Sequence, residues 1–195
     1  MATGVEAGGE LCRAGAVGSL AAALLLLFCA ARTPSKNWLL DYYPNPDLEG
    51  AAKVRAWIRR ANFEVPADVL LTHVPDRPNF SLRLQSCLPL SDTGVLAVRL
   101  QADDRARFYV DGRLMIDSAE PGAQQAGAQG KKNSKREAGK TQLDLVPGTH
   151  LITVEYSNTS GTGVLRLELS QPGLPDNQLQ SRLQRPTLDG RCGPS

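Results

Sequence analysis

Apolar and polar residues alternate with a period of two along much of this chain. Phe80, Leu82 and Leu84 are separated by Ser81 and Arg83, and Leu96, Val98 and Leu100 by Ala97 and Arg99. Phe108 and Val110 alternate with Arg107 and Tyr109, and Leu143 and Leu145 with Gln142 and Asp144. Ile152, Val154 and Tyr156 alternate with Leu151, Thr153 and Glu155, and Leu165, Leu167 and Leu169 with Arg166 and Glu168. A strand turns successive side chains to opposite faces, so each run has a core face and a wetter face, as antiparallel sheets with one solvated side require. Turn chemistry separates the runs. Asp111-Gly112 supplies the positive φ angles of a type I′ hairpin turn. Val146-Pro147-Gly148-Thr149 has the proline and glycine of a type II turn, and Ser160-Gly161-Thr162-Gly163 makes a further break.

Four stretches depart from this alternation. Val54, Trp57, Ile58 and Ala61 stand at helical spacing, while Val54, Ala56 and Ile58 stand at strand spacing, so 50–63 reads as a helix or as an extended segment. Residues 119–141 have no apolar periodicity. Lys131, Lys132, Lys135, Arg136 and Lys140 face only Glu120 and Glu137 there, and the stretch reads as a solvated, disordered basic insertion or as a contact for acidic glycans or anionic lipid. Residues 171–195 are rich in Gln, Pro and Gly and read as a flexible tail. Residues 14–31 carry no charge, with Arg13 before them and Arg32 after. Eighteen residues span roughly 27 Å as a helix, close to a bilayer core of about 30 Å. Residues 1–31 therefore read as one N-terminal hydrophobic helix, either a cleaved signal peptide or a membrane anchor; a buried helix is the third reading.

Composition narrows the classes. The chain has 195 residues, 42% hydrophobic, 22% charged and only 5% aromatic, which fits one globular domain with appendages and excludes collagen, rods and multi-span membrane proteins. A net charge of +2 and so few aromatics argue against nucleic acid as a partner. From residue 32 onward there are 21 basic and 18 acidic residues, a net +3 that the basic stretch alone matches. Cys12 and Cys29 fall in the targeting segment. Cys87 and Cys192 remain, compatible with one disulfide tying the tail to the domain and equally with two separate thiols. Asn79-Phe80-Ser81 and Asn158-Thr159-Ser160 are N-glycosylation sequons. The two histidines, His73 and His150, have no Gly-x-Ser-x-Gly, His-Glu-x-x-His or phosphate-loop motif beside them, so a non-catalytic protein is expected.

Several segments resemble, in order, the protective-antigen-type (PA-fourteen) β-sandwich domain of flocculins, fungal adhesins and glycosidase inserts. Asp41-Tyr42-Tyr43-Pro44-Asn45-Pro46-Asp47-Leu48-Glu49-Gly50 resembles its opening, and Asn79-Phe80-Ser81-Leu82-Arg83 its "Asn-Phe-Ser-Val-Arg". Thr93-Gly94 looks like its lead into a strand. Asp103-Asp104-Arg105-Ala106-Arg107-Phe108-Tyr109-Val110-Asp111-Gly112 is similar to its signature "Asp-Asp-Gly-x-x-Leu-Tyr-Val-Asp-Gly". Leu145 to His150 resembles "Leu-x-x-Gly-x-His", and Val154-Glu155-Tyr156 its "Val-Glu-Tyr". Arg105 stands where the family usually has glycine, an aromatic is missing before the signature, and the family's closing tryptophan is absent near Leu169-Ser170.

The resemblance implies an all-β, antiparallel, jelly-roll-like sandwich over 38–170. It also implies an exported carbohydrate-binding module, secreted or membrane-anchored through 14–31, with a glycan or glycoprotein as partner and a role in adhesion. In adhesin members paired aspartates hold one calcium ion that binds sugar hydroxyls; here those positions are Asp103 and Asp104, with Asn158 as a candidate further ligand. Calcium wants six to eight oxygens, so a second loop must contribute. The alternative is that Asp103-Asp104 makes a structural turn on a protein-interaction scaffold without metal or sugar.

Overall fold

The computed structural model describes residues 36–64, 79–118, 136–160, 163–174 and 176–193. Among the described residues ten strands carry the fold: β1 (Trp38–Tyr43), β2 (Val54–Ile58), β3 (Phe63–Glu64), β4 (Phe80–Leu90), β5 (Gly94–Ala102), β6 (Arg105–Val110), β7 (Arg113–Asp117), β8 (Arg136–Leu145), β9 (Gly148–Asn158) and β10 (Val164–Ser170). One sheet has the order β2-β1-β4-β9-β6-β7 and the other β3-β10-β5-β8, with every pairing antiparallel. The alternating runs become the two facing surfaces. Leu40, Leu84, Val154, Phe108 and Ile116 form one cross-strand row on the inner face of the large sheet. They pack in one core with Leu96, Val98, Leu100, Leu165, Leu167 and Leu169 of the small sheet.

The outer face of the large sheet carries a second row, and it is charged. Arg55, Asp41, Arg83, Glu155, Arg107 and Asp117 are successive cross-strand partners, alternating in sign over all six strands. Arg55 meets Asp41 through two bonds of 2.6 and 2.7 Å, Arg83 meets Glu155 at 3.0 Å, and Arg107 meets Asp117 at 3.1 Å. Opposite charges directly across a ladder stabilise the pairing and penalise a slipped register.

The ambiguous stretch 50–63 is extended in its centre. Val54, Ala56 and Ile58 pair with Tyr42, Leu40 and Trp38, while Arg55 and Trp57 face outward. The open ladder edge of β1 overrides local helix preference there. The Asp111-Gly112 turn has φ of 50° and 78°, as a type I′ hairpin needs. It is tied to the β8–β9 turn through His150, whose Nδ1 lies 2.7 Å from Asp111 Oδ2 and whose Nε2 lies 2.9 Å from the Val146 carbonyl.

Two expectations are corrected. The loop expected over 119–141 gives way to strand β8 from Arg136 onward, paired along β5 with a register shift at Leu100/Gln101. Backbone pairing with an available edge needs no apolar alternation. Gly139 also lets β8 approach β7, since a Cβ there would stand 2.7 Å from Ile116 Cγ2. The tail expected over 171–195 contains helix α1 (Asp176–Arg182) and a docked segment after it. Leu179 and Leu183, four residues apart in a polar stretch, are 1% and 3% exposed and join the core. The hydrophobic helix expected over 1–31 and the rest of the insertion expected over 119–141 lie outside the described residues.

Candidate functional site

The β5–β6 connection is two residues long, Asp103 and Asp104, and it lies beside the loop that leaves β9. Their backbone needs no left-handed conformation; neither has a positive φ. The two side chains take different directions. Asp103 Oδ1 accepts from the Tyr156 hydroxyl at 2.7 Å, the Val164 amide at 2.9 Å and the Asp104 amide at 3.0 Å. Burial pushes the Tyr156 phenol far above its ordinary range and the Asp103 carboxylate adds to it, so the hydroxyl stays protonated and donating. Asp103 thus joins the start of β6 to β9 and β10.

Asp104 turns to the other loop. Its Oδ2 accepts from the Thr159 amide at 2.8 Å and the Thr159 hydroxyl at 3.2 Å. Asn158, 1% exposed, has its side-chain amide 3.0 Å from both Asp104 Oδ2 and the Ser160 carbonyl. With Nδ2 on that side the amide donates to both oxygens. Hydrogen bonding favours that orientation; turned the other way, the amide would set three oxygens together, which only a cation could hold. Gly163 lets the β9–β10 loop close over this cluster: a Cβ there would meet Tyr156 Oη at 2.9 Å and Phe80 Cζ at 3.4 Å.

Asp104 and Asn158 are therefore brought together, and Asp103 is adjacent but engaged as a structural acceptor. Among the described residues no group of three or more His, Cys, Asp or Glu is gathered as a metal site. Two oxygens converge on the Asn158 amide nitrogen, one from a carboxylate and one from a backbone carbonyl. Sequence reasoning missed Tyr156, Thr159 and the Val164 amide as partners of the aspartates. Tyr156 carried a usable signal, a hydroxyl on the core face of an otherwise aliphatic run.

The other site residues fall elsewhere. Arg105 points to the outer face, 3.1 Å from Asp117, and its side chain is 47% exposed. With Arg107, Glu155, Ser157 and Pro46–Leu48 it lines a cavity of about 80 Å³. Asn79 is exposed at φ 63°, whereas the acceptor amide of the Asn158 sequon is enclosed. Cys87 and Cys192 form a disulfide with Cα atoms 5.7 Å apart.

An antiparallel β-sandwich with adjacent aspartates in the loop before the Tyr-Val-Asp-Gly hairpin is a recognisable class of domain. The PA14 domain model matches residues 41–181, and the chain belongs to that family. No curated protein matches the chain. Among solved structures it is similar to an anti-sigma factor domain-containing protein, with a TM-score of 0.58 and 19% identity over 83% of this chain and 50% of that one. A protein of the same description from Clostridium clariflavum gives a TM-score of 0.53 and 19% identity, over 70% of this chain and 42% of that one. A beta-glucosidase from Kluyveromyces marxianus gives 0.55 and 19%, over 76% of this chain and 19% of that one. At these identities the likeness shows the fold. The chain spans less than half of the Clostridium protein and under a fifth of the glucosidase.

Proposed function

We propose that this domain is a non-catalytic carbohydrate-binding module acting on the exported side of a membrane, with calcium assisting at the Asp104–Asn158 loop pair. The observation that carries the reading is the convergence of Asp104 Oδ2 and the Ser160 carbonyl on the Asn158 amide, each 3.0 Å from it, between two loops. Asp104, the Ser160 carbonyl and Asn158, its amide turned to present Oδ1, would hold the ion, with Asp103 accepting the Asp104 amide from behind. Calcium there supplies open coordination positions for the hydroxyl oxygens of a glycan or glycoprotein. The chain's own part is to orient the carboxylate through Thr159 and to enclose the cluster with Gly163. Family membership supports the carbohydrate class. A disulfide between Cys87 and Cys192 fits an oxidising compartment, reached through the apolar segment 14–31 as a signal or an anchor.

One observation favours a second reading, a protein-interaction scaffold without metal. With Nδ2 facing Asp104 the Asn158 amide satisfies the cluster by itself. A glycan array probed with the full chain separates the two. The first reading expects calcium-dependent binding that chelator and Asp104→Ala both abolish. Binding that survives chelator rejects the metal, and no binding to a broad array leaves the scaffold.

A further inference from the structure

The segment after α1 does not leave the domain. It crosses the outer face of the large sheet at the end where β1 begins. Gln184 and Cys87 exchange backbone hydrogen bonds of 2.8 and 2.9 Å. Arg185 donates from Nε to the Lys36 carbonyl at 2.7 Å, and its guanidinium lies 5.3 Å from the Trp57 ring centre. Arg55 reaches the Leu188 carbonyl at 2.8 Å. Gly190 sits so close over Gln85 that a Cβ would stand 2.5 Å from its Oε1. The segment ends in the Cys87–Cys192 disulfide.

Beneath this strap lies an apolar pair, Leu39 and Trp57, beside Gln85. Leu39 pairs with Trp57 on one side and Gln85 on the other, and all three lie on the outer face. Leu39 is 1% exposed but takes no part in the core between the sheets. Yet the strap has little apolar surface with which to hold itself down. Among the described residues beyond Leu183 only Pro186 and Gly190 are buried, and Leu188 is 62% exposed. A few surface hydrogen bonds do not offset the conformational entropy of ordering residues 184–192. The covalent closure must supply the rest.

We infer that the C-terminal strap is a redox-gated cover: the Cys87–Cys192 disulfide holds it over the Leu39–Trp57 strip, and reduction releases it while the sandwich stays folded. The step needs an external dithiol. One of its thiolates attacks Sγ of Cys192, the less enclosed partner, and the Cys87 thiolate leaves. The second thiolate displaces Cys192 from the mixed disulfide. Both cysteines end as thiols and the dithiol as its cyclic disulfide. Leu179 and Leu183 keep α1 anchored, so the strap opens from Gln184 onward.

Hydrogen exchange of the full chain, oxidised and in dithiothreitol, tests this. Amides of 184–192 should exchange about tenfold faster or more after reduction, with β4, β6 and β9 unchanged. Iodoacetamide should then label Cys87, which is 1% exposed in the closed state. Cys192→Ser should reproduce the fast exchange without reductant. The Asp104–Asn158 loops lie about seven residues along β4, roughly 24 Å away, and should not respond. Retained protection of 184–192 after reduction overturns the inference. So does a loss of protection that appears only together with that of the core strands.

Discussion

Replacing Asp103 by alanine removes the acceptor of three hydrogen bonds at once. The Tyr156 residue is 0% exposed, so its hydroxyl cannot turn to water. The Val164 amide, 2.9 Å from the same oxygen, loses its partner too. Each buried group left unpaired costs about 1–3 kcal/mol, so Asp103→Ala should cost roughly 2–6 kcal/mol. For a domain of this size each kcal/mol moves Tm by about 2–4 °C. Tyr156→Phe alone removes one bond and leaves Asp103 its other donors, at about 1 kcal/mol. In the double variant the orphaned hydroxyl no longer exists. The pair should then be less damaging than the sum of the two single changes by about 1–2 kcal/mol. Asp104→Ala frees Thr159 groups that water can reach and leaves the buried Asn158 amide its Ser160 acceptor, so it should cost less than Asp103→Ala, about 1–2 kcal/mol. Urea unfolding of the four variants measures all of this. An Asp103→Ala protein that melts with the wild type, or an additive cycle, would refute the division between a structural Asp103 and an available Asp104.

The His150 contacts make stability depend on pH. Burial alone would favour the neutral ring, but the bonds to Asp111 and to the Val146 carbonyl outweigh it and raise the imidazole pKa above its ordinary value. The stabilisation is therefore complete below about pH 6.5 and is lost as pH rises through the folded pKa. The Tm difference between wild type and His150→Gln should be a few degrees near pH 5.5 and shrink toward pH 8.5; a flat difference contradicts the double-donor geometry. Gly139→Val should lower stability by about 1–3 kcal/mol through its clash with Ile116, and Ile116→Ala should recover part of that loss, both read from denaturant midpoints.

The strands were legible because one face of each is buried. Leu82, Val98, Phe108, Val154 and Leu167 announce their faces by alternation alone, and the Asp111-Gly112 turn announces its own geometry. Strand β8 was legible only at its end, where Leu143 and Leu145 alternate with Gln142 and Asp144. Its centre holds Gly139, Lys140 and Thr141 on a sheet edge, where pairing is backbone to backbone and side chains carry no pattern. Nor was the strap, whose docking depends on one covalent bond and on Arg185 and Arg55 reaching carbonyls far away in sequence. The charged row from Arg55 to Asp117 needs six strands in register before it exists. At the site, two adjacent aspartates could be seen, but their separate duties are set by Tyr156, Thr159 and Val164, residues more than fifty positions away.

The functional question turns on which way one amide faces, and a single substitution addresses it. Asn158→Asp places a second carboxylate about 3 Å from Asp104 Oδ2 and the Ser160 carbonyl, given the present 3.0 Å contacts. Without metal it loses two donated bonds and adds like-charge repulsion, so the variant should melt below the wild type. With calcium the same change adds an anionic ligand at the point where the oxygens converge. Millimolar calcium should then raise the Tm of Asn158→Asp by more than that of the wild type, since a ligand stabilises in proportion to RT ln(1 + [L]/Kd). Asp104→Ala in the same background should remove the calcium response. If Asn158→Asp melts low and calcium leaves it there, the amide nitrogen is the group that faces Asp104. The two loops are then closed by hydrogen bonds, and the carbohydrate reading would have to stand on the rest of the surface.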